Sequence, residues 1–273
     1  MTSPQRGNEI FGLIFLFNII VVSAFLRVLW ESNLNTSYMH LTVIHLIVGY
    51  FIPFLIYKYA TKQSFKLITP IRAMSLKNVL FVIGIIMCAI PFGLFLQSVI
   101  VLFFHNPYVF LYYQIMDYHF LLWILVIAVS PSIFEEIVFR GIIQHEYKGV
   151  PIKKAALING MLFGILHFNM VQFFIATFLG VILAYFMHYT RSILAPMLGH
   201  FVWNLTAITI VYVLHNSAAS SVDIFSGYFL EPTTDIIILG VVSIVLAVPF
   251  IMLMKKFISY NKHNEQHLIE ETN

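Results

Sequence analysis

Hydrophobic residues in this chain occur in long runs separated by short polar segments. Eight runs are long enough, or nearly so, to cross a bilayer, because a membrane-spanning helix needs about 20 apolar residues. They lie near residues 10–30, 39–60, 78–104, 119–145, 153–169, 171–190, 192–214 and 235–257. The pattern predicts an all-α fold, a polytopic transmembrane helical bundle of about eight spans forming one integral membrane domain over residues 1–273.

The fifth run, near 153–169, is short, and almost nothing separates it from the sixth. His167 would lie about 21 Å beyond Lys153 on a helix, deeper than the other polar residues of the later runs. Pro151 is suited to the first turn of a helix. We therefore expect the fifth helix to begin at Pro151 and to protrude from the membrane or tilt within it.

Positive charge is distributed unevenly among the loops. Lys and Arg occur in loop 61–77, around 146–152, at Arg191 and after the eighth run. The loops without Lys or Arg are 31–38, 105–118 and 215–234. By the positive-inside rule, both termini and the basic loops are predicted to be cytoplasmic, and the loops without Lys or Arg external.

Composition narrows the protein class further. Of the residues, 60% are hydrophobic and 10% are charged, which excludes a sizeable soluble domain. The formal net charge of +3 includes no basic patch with interleaved aromatic residues, so nucleic-acid binding is not expected. Cys88 is the single cysteine and excludes an intrachain disulfide. Within the polar C-terminal tail, 258–273, residues 261–273 are predicted to be disordered. Segment 61–77 is predicted to be either a surface-lying helix or a loop.

The fourth run contains the most unusual polar residues. Glu135 and Glu136 are adjacent, and Arg140 follows one helical turn after Glu136. Ionisable side chains at membrane depth cost several kcal/mol and usually have a function. On a helix Glu136 can pair with Arg140, whereas Glu135 points about 100° away and is left available for chemistry. Pro131, one turn earlier, can bend the helix and free the carbonyl of Ile127.

Three more polar residues lie in later runs. His167 shares one helical stripe with Gly160 and Gly164, and small residues four apart let helices approach closely. His200 and Asn204 are four residues apart and share a helical face. A carboxylate beside an imidazole can take a proton from water, and an imidazole with an amide can donate hydrogen bonds to an oxyanion. This set suits amide hydrolysis without a Ser or Cys nucleophile.

Zinc is an alternative for the same residues. Glu135, His167 and His200 supply the oxygen and nitrogen ligand types that zinc takes. No His-Glu-x-x-His motif is present, so this alternative depends on ligand types alone. A transporter or proton relay is a second alternative, but the first, third and eighth runs offer almost no polar residues for a path. A non-catalytic scaffold or immunity protein that only binds a peptide is a third.

Glu135-Glu136-x-x-x-Arg140, Phe163-x-x-x-His167 and His200-x-x-x-Asn204, in this order on apolar segments, resemble a known signature. It is that of the CAAX protease and bacteriocin-processing family of intramembrane proteases, also called Abi, which includes the type II CAAX prenyl endopeptidases. The resemblance covers about residues 119–214. It implies an eight-helix core, a cavity open to the cytoplasm, and an endopeptidase that is often labelled a metalloprotease.

The resemblance also implies roles for these residues. Glu135 and His167 activate the water, and His200 and Asn204 stabilise the oxyanion, while Glu136, Arg140 and Phe163 support the site. A metal-free glutamate mechanism is favoured over a zinc-dependent one. The expected substrate is a membrane-associated peptide or protein, and nothing indicates that it is prenylated. The expected setting is pheromone or bacteriocin processing, or self-immunity, in the cell membrane of a bacterium.

Overall fold

The computed structural model describes residues 3–31, 38–104, 118–216 and 232–272. Within these ranges every regular element is a helix, which confirms the predicted all-α fold. The helices are α1 (Pro4–Glu31), α2 (Tyr38–Leu46), α3 (Ile52–Thr61), α4 (Phe65–Ile68), α5 (Leu76–Ile100), α6 (Phe120–Trp123), α7 (Ser130–Glu136), α8 (Gln144–Glu146), α9 (Ile152–Ile165), α10 (Met170–Thr190), α11 (Leu194–Asn216) and α12 (Pro232–Thr272).

Six helical stretches in the described part of the chain are long and apolar enough to cross a membrane. They are Thr42–Thr61, Leu76–Ile100, Phe120–Glu146, Met170–Thr190, Leu194–Leu214 and Pro232–Asn264. The first and fifth predicted spans are not among them. The first corresponds to α1, whose side chains from residue 22 onward lie outside the described residues. The fifth corresponds to α9.

Helix α9 begins directly after Pro151, as expected, but it has only 14 residues. Its length of about 21 Å is too short for a hydrocarbon core of about 30 Å. It packs along α10, to which residues 166–169 connect it. Helix α9 therefore packs beside α10 and is too short to cross a membrane by itself. The external loops predicted at 31–38, 105–118 and 215–234 lie largely outside the described residues, and the orientation of the termini stays a prediction.

The helix that carries the acidic pair changes geometry on both sides of that pair. Helix α7 is preceded by a π-helical stretch, Ile124–Val129, and followed by a second one, Ile137–Ile143. π-Helical turns inside longer helices are frequent at functional sites. Pro131 lies in the first turn of α7, where its missing N–H interrupts the normal hydrogen-bond ladder. The expected disturbance of the helix at Pro131 is thus present, and it has the form of widened turns.

The prediction of disorder over 261–273 is wrong for residues 261–272. Helix α12 continues through Thr272. The amides of Asn261 and Asn78 exchange two hydrogen bonds of 3.0 and 2.9 Å, which join α12 to α5. The polar end of α12 therefore has a buried partner on α5, which composition alone did not reveal. Between residues 61 and 77 the chain is a loop with one short helix, α4, and no long surface helix.

Small residues allow α9 and α10 to approach closely. A Cβ on Gly160 would lie 2.7 Å from the carbonyl oxygen of Thr177 and 3.0 Å from the amide nitrogen of Val181. On the facing helix, a Cβ on Gly180 would lie 2.8 Å from Cα of Gly160. Backbone contacts at these distances leave no room for a methyl group. The stripe predicted from the spacing of the glycines is therefore a helix-packing surface.

Substituting Gly160 with Ala is expected to destabilise the protein by about 1–3 kcal/mol, because the methyl group must push the α10 backbone away. The measurement is thermal unfolding in detergent. Gly12→Ala is the matched control, since nothing lies within 4 Å of its added Cβ. Equal stability of the two variants would show that α9 and α10 are not packed at this distance.

Candidate active site

Glu136 is the centre of a buried charged network. Nη1 of Arg140 donates to Oε1 of Glu136 at 3.0 Å, and Nδ1 of His200 lies 2.9 Å from the same oxygen. Glu136 and Arg140 are both fully buried, and His200 is 3% exposed. Nη2 of Arg140 donates to the carbonyl oxygen of Gly180 at 3.0 Å. The network thus joins the acidic helix α7 to α10 and α11.

Glu135 differs from its neighbour in its contacts. It is 8% exposed, and no hydrogen bond or ion pair connects it to another described residue. Its Oε2 atom is buried without a partner. Oε2 of Glu136 is also unpartnered, but its Oε1 contacts both the guanidinium of Arg140 and the imidazole of His200. Of the two adjacent carboxylates, Glu136 is held in place and Glu135 is available.

His167 lies in the turn after α9, because that helix ends at Ile165. Its Nδ1 lies 2.9 Å from the carbonyl oxygen of Phe163. A carbonyl only accepts, so Nδ1 carries the proton, and Nε2 of the neutral ring is an acceptor. The sequence interpretation placed His167 on the helical stripe itself; the turn conformation, with a left-handed Phe168 at φ 51°, places it beyond the helix end instead.

Phe163 brings the separate parts of the site together. Its ring centre lies 5.1 Å from that of His167 and 5.7 Å from that of His200. The guanidinium carbon of Arg140 lies 4.8 Å from the same ring centre. Phe163 is 1% exposed. One aromatic side chain thus contacts both imidazoles and the arginine, and the three motifs meet around it.

Asn204 makes a contact that explains its position. Its Nδ2 donates to the carbonyl oxygen of Ile127 at 3.1 Å. Ile127 is four residues before Pro131, which has no N–H to donate to that carbonyl. The sequence predicted the freed carbonyl, but not that Asn204 would bind it. One amide hydrogen of Asn204 is used in this way, and the second remains.

Comparison with protein families supports the resemblance. Residues 117–206, about a third of the chain, match the family described as Type II CAAX prenyl endopeptidase Rce1-like. This part of the chain is similar to the CAAX protease family. Comparisons with curated proteins and with solved structures give no match.

The matched segment contains the acidic pair, both imidazoles and Asn204. The family resemblance inferred from the motifs is therefore confirmed. Together with the apolar helices, the match indicates a multi-pass membrane protein and, in general terms, a CAAX-type intramembrane protease.

The arrangement does not fit the alternative zinc ligand set. Among the described residues, no three His, Cys, Asp or Glu side chains lie close enough together to hold a metal ion. Glu135, His167 and His200 would have to move to share one ion, so we derive no reaction step through zinc.

A second polar pair was missed by the sequence interpretation. The Nε2 atom of His45 lies 2.8 Å from Oδ1 of Asn18. Asn18, fully buried, also donates from Nδ2 to the carbonyl of Gly49 at 3.0 Å. Helix α2, which carries His45, packs against α7. The available signal was a lone Asn in an apolar run.

Proposed function

We propose that this protein is an intramembrane endopeptidase that hydrolyses a peptide bond of a membrane-associated peptide or protein. Water activated by Glu135 and His167 is the nucleophile. One observation carries the proposal: Glu136 is occupied by Arg140 and His200, while the adjacent Glu135 is buried with no ion pair or hydrogen bond among the described residues. A base must be free to take a proton, and Glu135 satisfies this requirement.

The proposed reaction gives Glu135 and His167 separate roles. Glu135 takes a proton from water while Nε2 of His167 accepts a hydrogen bond from the same water and orients it. The water oxygen adds to the peptide carbonyl carbon, and the carbonyl oxygen becomes an oxyanion. Collapse of this intermediate breaks the C–N bond, and the proton held by Glu135 passes to the leaving amine. The water oxygen and one of its hydrogens end in the new carboxyl group, and its other hydrogen ends in the new amine, so atoms and charge balance.

His200 and Asn204 are the proposed oxyanion donors. The remaining amide hydrogen of Asn204 is free for this role, since the other one binds Ile127. Nδ1 of His200 faces Glu136, so Nε2 is the nitrogen available to the substrate. Nε2 donates only when the ring carries both protons. Donors fixed before the reaction stabilise developing charge without reorganisation, and the loss of one such donor typically costs about 10²–10³-fold in rate.

Glu136, Arg140 and Phe163 are positioning residues in this proposal. Glu136 fixes the ring of His200, Arg140 fixes Glu136, and Phe163 fills the space between the two imidazoles. Processing of a peptide pheromone or bacteriocin, or self-immunity, in a bacterial cell membrane is the biological role that we propose for this activity. A lipid bilayer and a membrane-associated substrate are the partners.

Two results on metal test the proposed mechanism. The purified protein in detergent should retain its cleavage rate in a strong chelator and should contain zinc well below one atom per chain. The reason is that no three His, Cys, Asp or Glu side chains among the described residues lie close enough together to hold a metal ion. A zinc-dependent protease assayed in the same chelator is the control. Activity that is lost in chelator and restored by zinc would contradict the glutamate mechanism.

A further inference from the structure

A separate cavity of about 760 Å³ lies at the basic end of the described helices. Its lining includes basic side chains from four separate parts of the chain. These are Lys66 and Arg72 between α3 and α5, Lys148 after α8, Arg191 between α10 and α11, and Lys262 on α12. By the positive-inside rule this end faces the cytoplasm. Residues far apart in sequence thus build one concave cationic surface.

The described lining of this cavity contains no Asp or Glu. Burial, and after it the nearby charge of Arg191, lowers the pKa of Lys148 below its usual value. Like charges held together in this way are costly unless an anion is present between them. The cavity has the electrostatic character of an anion site.

The inner end of the cavity carries an unused donor. Arg140 lines the cavity and is fully buried. Its two terminal nitrogens bind Glu136 and Gly180, but its Nε has no hydrogen-bond partner among the described residues. A buried guanidinium N–H without a partner requires an explanation, and an absent ligand is one that agrees with the basic lining. This observation is independent of the basic rim and points to the same kind of ligand.

Apolar side chains form much of the remaining wall. They include Leu67, Val150, Ile152 and Met187, with Tyr147 and Tyr189 beside them. A wall of this kind suits a ligand that has both a charged and an apolar part. Basic pockets between transmembrane helices on the cytoplasmic side are suited to the head groups of anionic lipids.

We propose that this cavity binds a phosphate group, and that the phosphodiester of an anionic phospholipid is its source. Lys66, Arg72, Lys148 and Lys262 attract the head group at the rim, and Nε of Arg140 is the donor at the inner end. Arg140 also holds Glu136, which holds His200, so the bound lipid contacts the network of the active site. That last consequence rests on the proposed function, whereas the binding does not.

The test measures binding to purified full-length protein, without any cleavage assay. Titration with short-chain phosphatidylglycerol in detergent, followed by intrinsic fluorescence or thermal shift, gives a dissociation constant. Each basic side chain at an anionic lipid contributes a factor of roughly five, so Arg72→Gln with Lys148→Gln should weaken binding about 25-fold. Both side chains are exposed, so the double variant should fold.

Lys153→Gln with Lys154→Gln is the matched control. These lysines are exposed near the same end, do not line the cavity, and change the net charge equally. We expect the dissociation constant of this control variant for phosphatidylglycerol to change less than twofold. Equal weakening in both double variants would overturn it, because binding would then follow net charge only. Absence of saturable binding to the wild type would overturn it as well.

Two further ligands identify the source of the phosphate. Short-chain phosphatidylcholine, which is zwitterionic, should bind at least tenfold more weakly than phosphatidylglycerol, by the loss of net charge. Inorganic phosphate should compete only at much higher concentration. If inorganic phosphate binds as tightly as the lipid and with the same dependence on Arg72 and Lys148, the cavity is a phosphate site and the lipid assignment is wrong.

Discussion

Glu135→Gln is expected to give a folded protein that cleaves its substrate roughly 10²–10⁴-fold more slowly than the wild type. Gln keeps the size of the side chain but cannot take a proton from water. No ion pair is lost, because Glu135 makes none with the described residues. Apparent melting temperature in detergent should therefore remain close to that of the wild type. The measurement is the cleavage rate divided by the amount of folded protein.

Glu9→Gln is a control for removal of one carboxylate. Glu9 is exposed near the start of α1, and among the described residues the side chain of Gln5 alone donates to it. This variant should cleave at the wild-type rate. A Glu135→Gln protein that also cleaves at that rate would show that Glu135 is not the base.

Glu136→Gln is expected to act mainly on folding. The substitution leaves Arg140 without its carboxylate at a fully buried site and weakens the contact with His200. Breaking a buried ion pair by removing one partner costs about 3–5 kcal/mol. The expected symptoms are a lower melting temperature and lower abundance in the membrane. Activity should fall in step with the amount of folded protein, with a further loss if the ring of His200 becomes mobile.

A double-mutant cycle separates this effect from a chemical one. Arg140→Gln removes the other partner, and the double variant Glu136→Gln with Arg140→Gln leaves no unpaired charge between these two positions. The loss of stability in the double variant should be smaller than the sum of the two single losses. A Glu136→Gln protein that is as stable as the wild type but inactive would show that the roles of the two carboxylates are reversed.

Local spacing predicted the contacts that lie within one helix. Glu136 and Arg140 are one turn apart, and the structure has their side chains 3.0 Å apart. The disturbance at Pro131 and the helix start after Pro151 follow equally from single residues whose backbone is restricted. These features depend on neighbours in sequence, so the sequence was sufficient to predict them.

Contacts between helices could not be predicted in the same way. The pairing of His200 with Glu136 and of Asn204 with Ile127 depends on which faces of α7 and α11 meet. Apolar residues cover all sides of a membrane helix, so hydrophobic periodicity does not distinguish those faces. The family resemblance brought the residues together as a set, but it did not specify that Glu136 contacts both Arg140 and His200.

Two predictions about the extent of helices were wrong, namely the fifth membrane span and the disordered tail. The run near 153–169 is apolar enough for a span, but Phe168 adopts a left-handed conformation and the chain turns into α10. The polar tail was assigned to disorder from composition, whereas Asn261 has a buried partner on α5. Composition describes a segment by itself and carries no information about the residue that it contacts.

The most direct test of the central claim compares membrane peptides from cells that produce the wild type with those from cells that produce Glu135→Gln at equal abundance. Mass spectrometry identifies fragments whose new ends arise by hydrolysis. The account predicts that a defined set of fragments is present with the wild type, absent with Glu135→Gln, and present with Glu9→Gln. The same fragments in equal amounts with wild type and Glu135→Gln would contradict the claim that Glu135 activates the water.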